Sequence, residues 1–184
     1  MRSGKMLVLI GASASGKTEI AKRLIANYGF KKMITYTTRE KRKGEIDGLD
    51  YHFVSEAEFE AKAKENQFLE TTQYHNNYYG TAFKDAQKNS VVIVDIPGAN
   101  HIYEQLNKTV MIIYVETPEH LRKARMLERG DALPTVVERL KTDAIHFNPN
   151  HLKQIDAVIK NDAVPLEALT EQIATLYKTH MSTS

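Results

Sequence analysis

The 184-residue chain contains no cysteine. That excludes a disulfide framework, a thiolate zinc site and a cysteine nucleophile, and it suits a reducing compartment. Charge of either sign is not in excess, since 25 Lys and Arg stand against 23 Asp and Glu for a net +2. Such a balance gives no global field to recruit nucleic acid or a membrane surface, so any anion site must be local. Long apolar runs are missing too, and nothing approaches the ~20 residues that span a bilayer. The run Met6–Ile10 is too short for a signal peptide and leads straight into a glycine-rich turn, so a soluble cytoplasmic protein is expected. The seven histidines are scattered, with no H-E-x-x-H or similar cluster of the kind a metal hydrolase uses.

Hydrophobic residues make up 42% of the chain, enough for the core of one compact α/β domain with small insertions. Met6-Leu-Val-Leu-Ile10 is a continuous apolar run of strand length, as expected of a strand buried on both faces of a parallel sheet. Val91–Val94 and Val110–Val115 repeat the pattern, and Ala157–Ile159 is a shorter instance. Helical spacing links Ile20, Leu24 and Tyr28, and later Leu166, Leu169, Ile173 and Leu176. Strand and helix alternate, which favours a sheet with parallel crossovers. Two segments interrupt the alternation. From Thr35 to Lys88 the chain is rich in Thr, Tyr, Arg and Glu, with turn-forming Gly44 and Gly48, and reads as an inserted lobe of short elements. From Arg122 to Lys141 a helix bearing Arg122, Arg125 and Arg129 reaches Gly130 and restarts near Pro134, the composition of a charged flap. The final Met-Ser-Thr-Ser is expected to fray.

Gly11-Ala12-Ser13-Ala14-Ser15-Gly16-Lys17-Thr18 fills every defined position of G-x-x-x-x-G-K-[ST], between an expected buried strand and an expected helix. Glycine lets the backbone curl around an anion, so that successive N–H groups and the positive end of the helix face phosphate oxygens. Lys17 adds a point charge for the outer phosphates, and the Thr18 hydroxyl is placed to ligate a bridging Mg²⁺. The motif specifies a nucleoside triphosphate such as ATP without choosing a reaction. Val91-Val-Ile-Val-Asp95 supplies an acid at the carboxyl end of a strand, the edge where ligands of open α/β sheets collect. Asp95 either faces a ligand there or caps the following turn.

In the inserted lobe, Arg39 and Arg42 stand three apart among hydroxyl residues, with Tyr51 after a turn containing Gly44 and Gly48. Two guanidinium forks and a phenol suit a second, terminal phosphate, although a solvated basic turn would have the same composition. The whole stretch from Thr37-Thr38-Arg39 through Arg42, Gly44-Glu45, Gly48, Asp50-Tyr51 and Phe53 to Ser55 resembles the signature of the guanylate kinase family. Phe68-Leu69-Glu70 and Tyr78-Tyr79-Gly80-Thr81 resemble that family's next motifs, and Asn161-Asp162 a late one. The resemblance runs from Leu7 to about Asp162.

The resemblance implies a P-loop NTPase three-layer fold over residues 1–184, with a core of 1–34, 86–121 and 142–184, a nucleotide-binding lobe at 35–85 and a lid at 122–141. It implies ATP-dependent phosphorylation of GMP, and of dGMP, with Mg²⁺. Arg39, Arg42, Tyr51 and Tyr79 would then grip the GMP phosphate, while Thr35, Glu70, Thr81 and Asp95 would read the base. Asn161 would contact the ATP purine, and Arg125, Arg129 and Arg139 would be lid arginines acting with Lys17 and Arg39 on the moving phosphoryl group. Several departures from the family pattern mark this chain. Ile96-Pro97-Gly98 replaces a second acid and a longer turn, the lid is one residue shorter than in some relatives, Asp143–Leu152 lacks the usual glutamate, and Thr35 stands where serine is common. A kinase of another nucleotide or of a phosphorylated sugar, and a non-catalytic binding module on the same fold, are the alternative readings. The intact Gly16, Lys17 and Thr18 favour catalysis over the module.

Overall fold

A computed structural model describes residues 6–42, 44–74 and 76–182. Its elements in chain order are β1 (Met6–Ile10), α1 (Lys17–Tyr28), β2 (Lys31–Lys32), β3 (Tyr36–Thr37), β4 (His52–Phe53), α2 (Glu56–Lys64), β5 (Phe68–Tyr74) and β6 (Asn77–Ala82), then β7 (Ser90–Ile93), α3 (Ile96–Leu106), β8 (Val110–Glu116), α4 (Glu119–Glu128), α5 (Leu133–His146), β9 (Ala157–Lys160) and α6 (Leu166–Ser182).

The apolar runs form a five-stranded parallel sheet in the order β2-β7-β1-β8-β9. β1 lies at its centre, paired Val8 to Val92 on one side and Val8 to Ile112 on the other. All five β1 residues are buried because side chains alternate between two covered faces. Leu7 and Leu9 point into a layer with Ile20 and Leu24 of α1 and Ile173 of α6. Met6, Val8 and Ile10 point the other way, against Ile96 and Ile102 of α3. The result is the expected three-layer α/β architecture. One strand has no apolar run to announce it: β2 is two exposed lysines on the sheet edge.

The inserted lobe carries its own four-stranded sheet, order β4-β3-β6-β5, in which β3–β4 is parallel and the other pairs antiparallel. Tyr36, Phe59 and Ala82 form its small core, with Phe68 packed alongside. α2 starts at a capping box, where Ser55 Oγ accepts from Glu58 N–H while the Glu58 carboxylate accepts from Ser55 N–H. Pro97 falls in the first turn of α3, where a missing N–H costs nothing. α6 continues through Met181 and Ser182 rather than fraying there, and Thr183 and Ser184 lie outside the described residues, as do residues 1–5 of the expected core.

Ile113 on β8 is fully buried in the α1/α6 layer. Ile113→Ala is expected to lower the unfolding free energy by about 3 kcal/mol in a urea titration, with the slope of the transition unchanged.

Candidate active site

The loop after β1 curls because two of its residues tolerate no side chain. At Gly11 (φ 151°) a Cβ would collide with Val115 O, and at Gly16 (φ 97°) it would come within 2.5 Å of Asn161 Nδ2. Lys17 folds back over the curl, its Nζ donating to Gly11 O at 2.5 Å, Ala12 O at 2.8 Å and Ser15 Oγ at 3.1 Å. Burial pushes this amine down to about 8, against the pull of the Asp143 carboxylate and with the help of the Arg122 charge. Ser15 O is held from behind by the Thr117 hydroxyl (3.1 Å) and the Asn161 amide (2.9 Å). Asn161 is buried, and its other amide atom, Oδ1, accepts from Arg125 Nη2 at 3.3 Å. Its side chain therefore supports the loop. Arg125 also donates to Ala14 O at 3.2 Å.

Lys17 and Ser13 line a cavity of about 210 Å³ together with Thr35, Tyr51, Glu70, Tyr79 and Asp95 from the lobe and the sheet edge, and Phe147 after α5. The Phe147 ring lies 5.8 Å from Lys17 Nζ. Glu70, only 4% exposed, has one carboxylate oxygen, Oε2, with no hydrogen-bond partner in the protein, and Thr81 is its cross-strand neighbour. Burial pushes the Glu70 carboxyl up to about 7, opposed by Thr81 and reinforced by the charge of Asp95. Asp95 takes the capping role and also lines the cavity. It caps α3 by accepting from Gly98 N–H at 2.9 Å, and its other oxygen accepts from the Thr72 hydroxyl at 2.9 Å on the cavity wall.

Across the lobe, Arg39 is clamped by Glu45 through both carboxylate oxygens (2.7 and 3.0 Å), and its guanidinium lies 5.3 Å from the Tyr51 ring. Tyr51 meets Tyr79 edge-on at 6.3 Å. Arg42 and Thr18 line an adjoining cavity of about 350 Å³ that shares Thr35 and Tyr51 with the first. Both arginines thus lie on the Lys17 side of the molecule. Arg129 and Arg139 line neither cavity; both are paired with Asp131 in the connection between α4 and α5, a carboxylate that the Arg42 charge also acts on. Sequence reasoning missed Glu45 as the clamp of Arg39, Thr72, Phe147, and the buried pair Arg122 and Asp143. For the last pair a signal existed: each occupies a buried stripe position of its helix, Arg122 four before Met126 and Asp143 three after Leu140.

A phosphate loop at the carboxyl edge of a parallel sheet, facing a second basic cluster on an inserted lobe, places the chain among the P-loop kinases of nucleoside monophosphates. Comparison with known proteins narrows the class. Residues 3–178 match the family model described as guanylate kinase, and the chain belongs to the guanylate kinase family. It is accordingly an ATP:GMP phosphotransferase. It is 32% identical over 171 residues to a guanylate kinase of Clostridium tetani, covering 89% of this chain and 81% of the relative. It is 37% identical over 169 residues to that of Wolinella succinogenes, covering 86% and 77%. The crystal structure of guanylate kinase from Anaplasma phagocytophilum superposes with a TM-score of 0.76 at 25% identity, over 98% of this chain and 88% of that one. Among the described residues no helix is long and apolar enough to cross a membrane.

Because the folded protein holds the Glu70 proton more tightly than the unfolded chain does, this group contributes stability below about pH 4.5 that is lost as pH rises through about 7. The Glu70 carboxyl should titrate near pH 7 by ¹³C NMR in the ligand-free protein. Unfolding free energy should fall across that window in the wild type and not in Glu70→Gln; a Glu70 titration near 4.5 would contradict this reading of the buried carboxyl.

Proposed function

We propose that residues 11–18 hold the phosphates of ATP, that the lobe at 35–85 holds GMP, and that the segment at 122–141 is the lid that closes on both. The observation that carries the choice of acceptor is the buried Glu70 carboxylate with an oxygen lacking a partner. Guanine presents a ring N–H beside an exocyclic amine, a donor pair that one carboxylate accepts with both oxygens. Adenine presents an acceptor at that edge and would leave desolvated groups unpaired. Gly98 keeps the approach open, since a Cβ there would lie 3.0 Å from Glu70 Oε2. Thr35, Thr81 and Asp95 complete the base-reading set. The GMP phosphate falls to Arg39, Arg42, Tyr51 and Tyr79, with Arg39 exchanging part of its Glu45 pairing for the ligand. Recognition by base and phosphate leaves the 2′ position unread, so dGMP is accepted too.

The residue suited to holding Mg²⁺ is Thr18, in the first turn of α1 directly after Lys17. A hydroxyl beside a phosphate loop fits an ion that keeps its waters and is held mainly through substrate phosphates. When bound, the ion offsets charge on the outer phosphates of ATP. The protein's part is alignment and electrostatics: Lys17 on the donor phosphates, Arg39 on the acceptor, and Arg125, Arg129 and Arg139 on the group that moves between them in line. Asp131 holds Arg129 and Arg139 until the lid closes, and closure keeps water from the phosphoryl group.

With purified protein, ATP and Mg²⁺, GMP and dGMP are expected to be phosphorylated, while AMP, UMP and CMP fall at least ~10³-fold lower in kcat/KM. Comparable turnover of AMP would contradict the role given to Glu70. Arg129→Ala and Arg139→Ala should each lower kcat by roughly 10²-fold or more with KM for ATP within a few-fold; an unchanged kcat in either would remove that arginine from the lid's function.

A further inference from the structure

α4 and α5 pack through a small apolar cluster of Met126, Val136 and Leu140, and Ala14 of the phosphate loop is seated against it. At the loop end of this cluster the apolar stripe gives way to two opposite charges. Arg122 is 7% exposed and Asp143 2%, and Arg122 Nη1 donates to Asp143 Oδ2 at 3.1 Å. The carboxylate does more than join two helices. Its Oδ2 also accepts the Ser13 N–H at 2.8 Å, and its Oδ1 accepts the Ser13 hydroxyl at 3.2 Å. The very next residue, Ala14, has φ 59°, a left-handed conformation that side chains other than glycine's resist. Such a conformation persists only where its surroundings over-determine it. Here they do so on both sides, with the methyl of Ala14 against the helix cluster and Ser13 held by two hydrogen bonds.

A bare carboxylate beside a loop that receives phosphates would repel the ligand, and a bare guanidinium buried beside Lys17 would disfavour the lysine's own charge. Paired, the two cancel at long range while Asp143 keeps its acceptor lone pairs for Ser13. The charge of Asp143 also supports the protonated state of Lys17 against burial.

We propose that Arg122 and Asp143 are positioning residues of the donor half-site, holding Ser13 so that the phosphate loop keeps the curl that Ala14 requires and is formed before ATP arrives. This rests on the reading of residues 11–18 as the ATP site. It makes the base of the α4/α5 unit part of the donor site, so the lid is anchored on the loop it covers.

The test is steady-state kinetics of the full chain with each substrate varied in turn. Asp143→Asn keeps the shape but removes the negative charge that Arg122 pairs with and leaves one acceptor oxygen in place of two. It is expected to raise KM for ATP at least fivefold with KM for GMP within twofold, and Arg122→Met should do the same. A purely structural pair would reduce the folded fraction, lowering apparent kcat with both KM values unchanged, or would raise both KM values together. Either result, or an ATP effect below fivefold, overturns the proposal. Should Asp143→Asn and Arg122→Met not fold, Ser13→Ala decides, because it removes one arm of the contact without touching the buried pair: a threefold or greater rise in KM for ATP alone supports the proposal, and a smaller or shared rise overturns it. Failure of the wild type to use ATP would instead sink the reading of the loop on which the proposal stands.

Discussion

The cleft is organised around two desolvated charges that the protein itself leaves incompletely matched. At one end burial pushes the Lys17 amine down to about 8, and at the other it pushes the Glu70 carboxyl up to about 7. Each displacement from the ordinary value corresponds to a cost on the order of 3 kcal/mol for holding the charged form in the cleft. Lys17 Nζ donates to two carbonyl oxygens and one hydroxyl, and Glu70 keeps one oxygen without a partner. On the proposed reading each becomes matched when the right ligand arrives, phosphate for the amine and a guanine edge for the carboxylate. Selectivity follows from the same desolvation, since a ligand that cannot supply the match leaves the penalty in place.

The fold sets these two groups opposite each other with little freedom. β1 and β7 are adjacent parallel strands, so the loop after one and Asp95 after the other emerge at the same sheet edge. The inserted lobe carries Glu70 on β5 over that edge, where Gly98 at the start of α3 leaves room for its carboxylate. The loop is braced from behind by Thr117 and Asn161, and from the side of α4 and α5 by Arg125, Ala14's apolar seat and the Arg122–Asp143 pair. On the proposed reading, the braced loop and the arginines of the α4/α5 unit divide the work of phosphoryl transfer, the first giving alignment before binding and the second charge compensation when both substrates are present.

Much of this could be read from residue order. A run such as Met6–Ile10 has one physical use in a chain of this size, and the glycine spacing that follows it has a steric cause that the structure displays at Gly11 and Gly16. The family signature covered the lobe, whose two-residue strands β3 and β4 carry no periodicity strong enough to detect alone. Glu70 was reached through that signature alone, because it is an ordinary acid until the lobe folds over it. What escaped was set by tertiary environment. The Glu45 clamp on Arg39 depends on a turn bringing them together, and Asp131 captures two arginines because it sits in a tight connection between helices. Arg122 and Asp143 were legible in part, as opposite charges in core-facing stripe positions of successive helices.

The claim that the acceptor's base completes a buried, half-titrated carboxylate is tested most directly by proton linkage. GMP binding measured by calorimetry near pH 7, in buffers of differing ionisation enthalpy, should release about half a proton more in the wild type than in Glu70→Gln, because Glu70 passes from near half-protonated to fully ionised against the base. Equal proton release by the two proteins would show that the guanine edge is not read by this carboxylate.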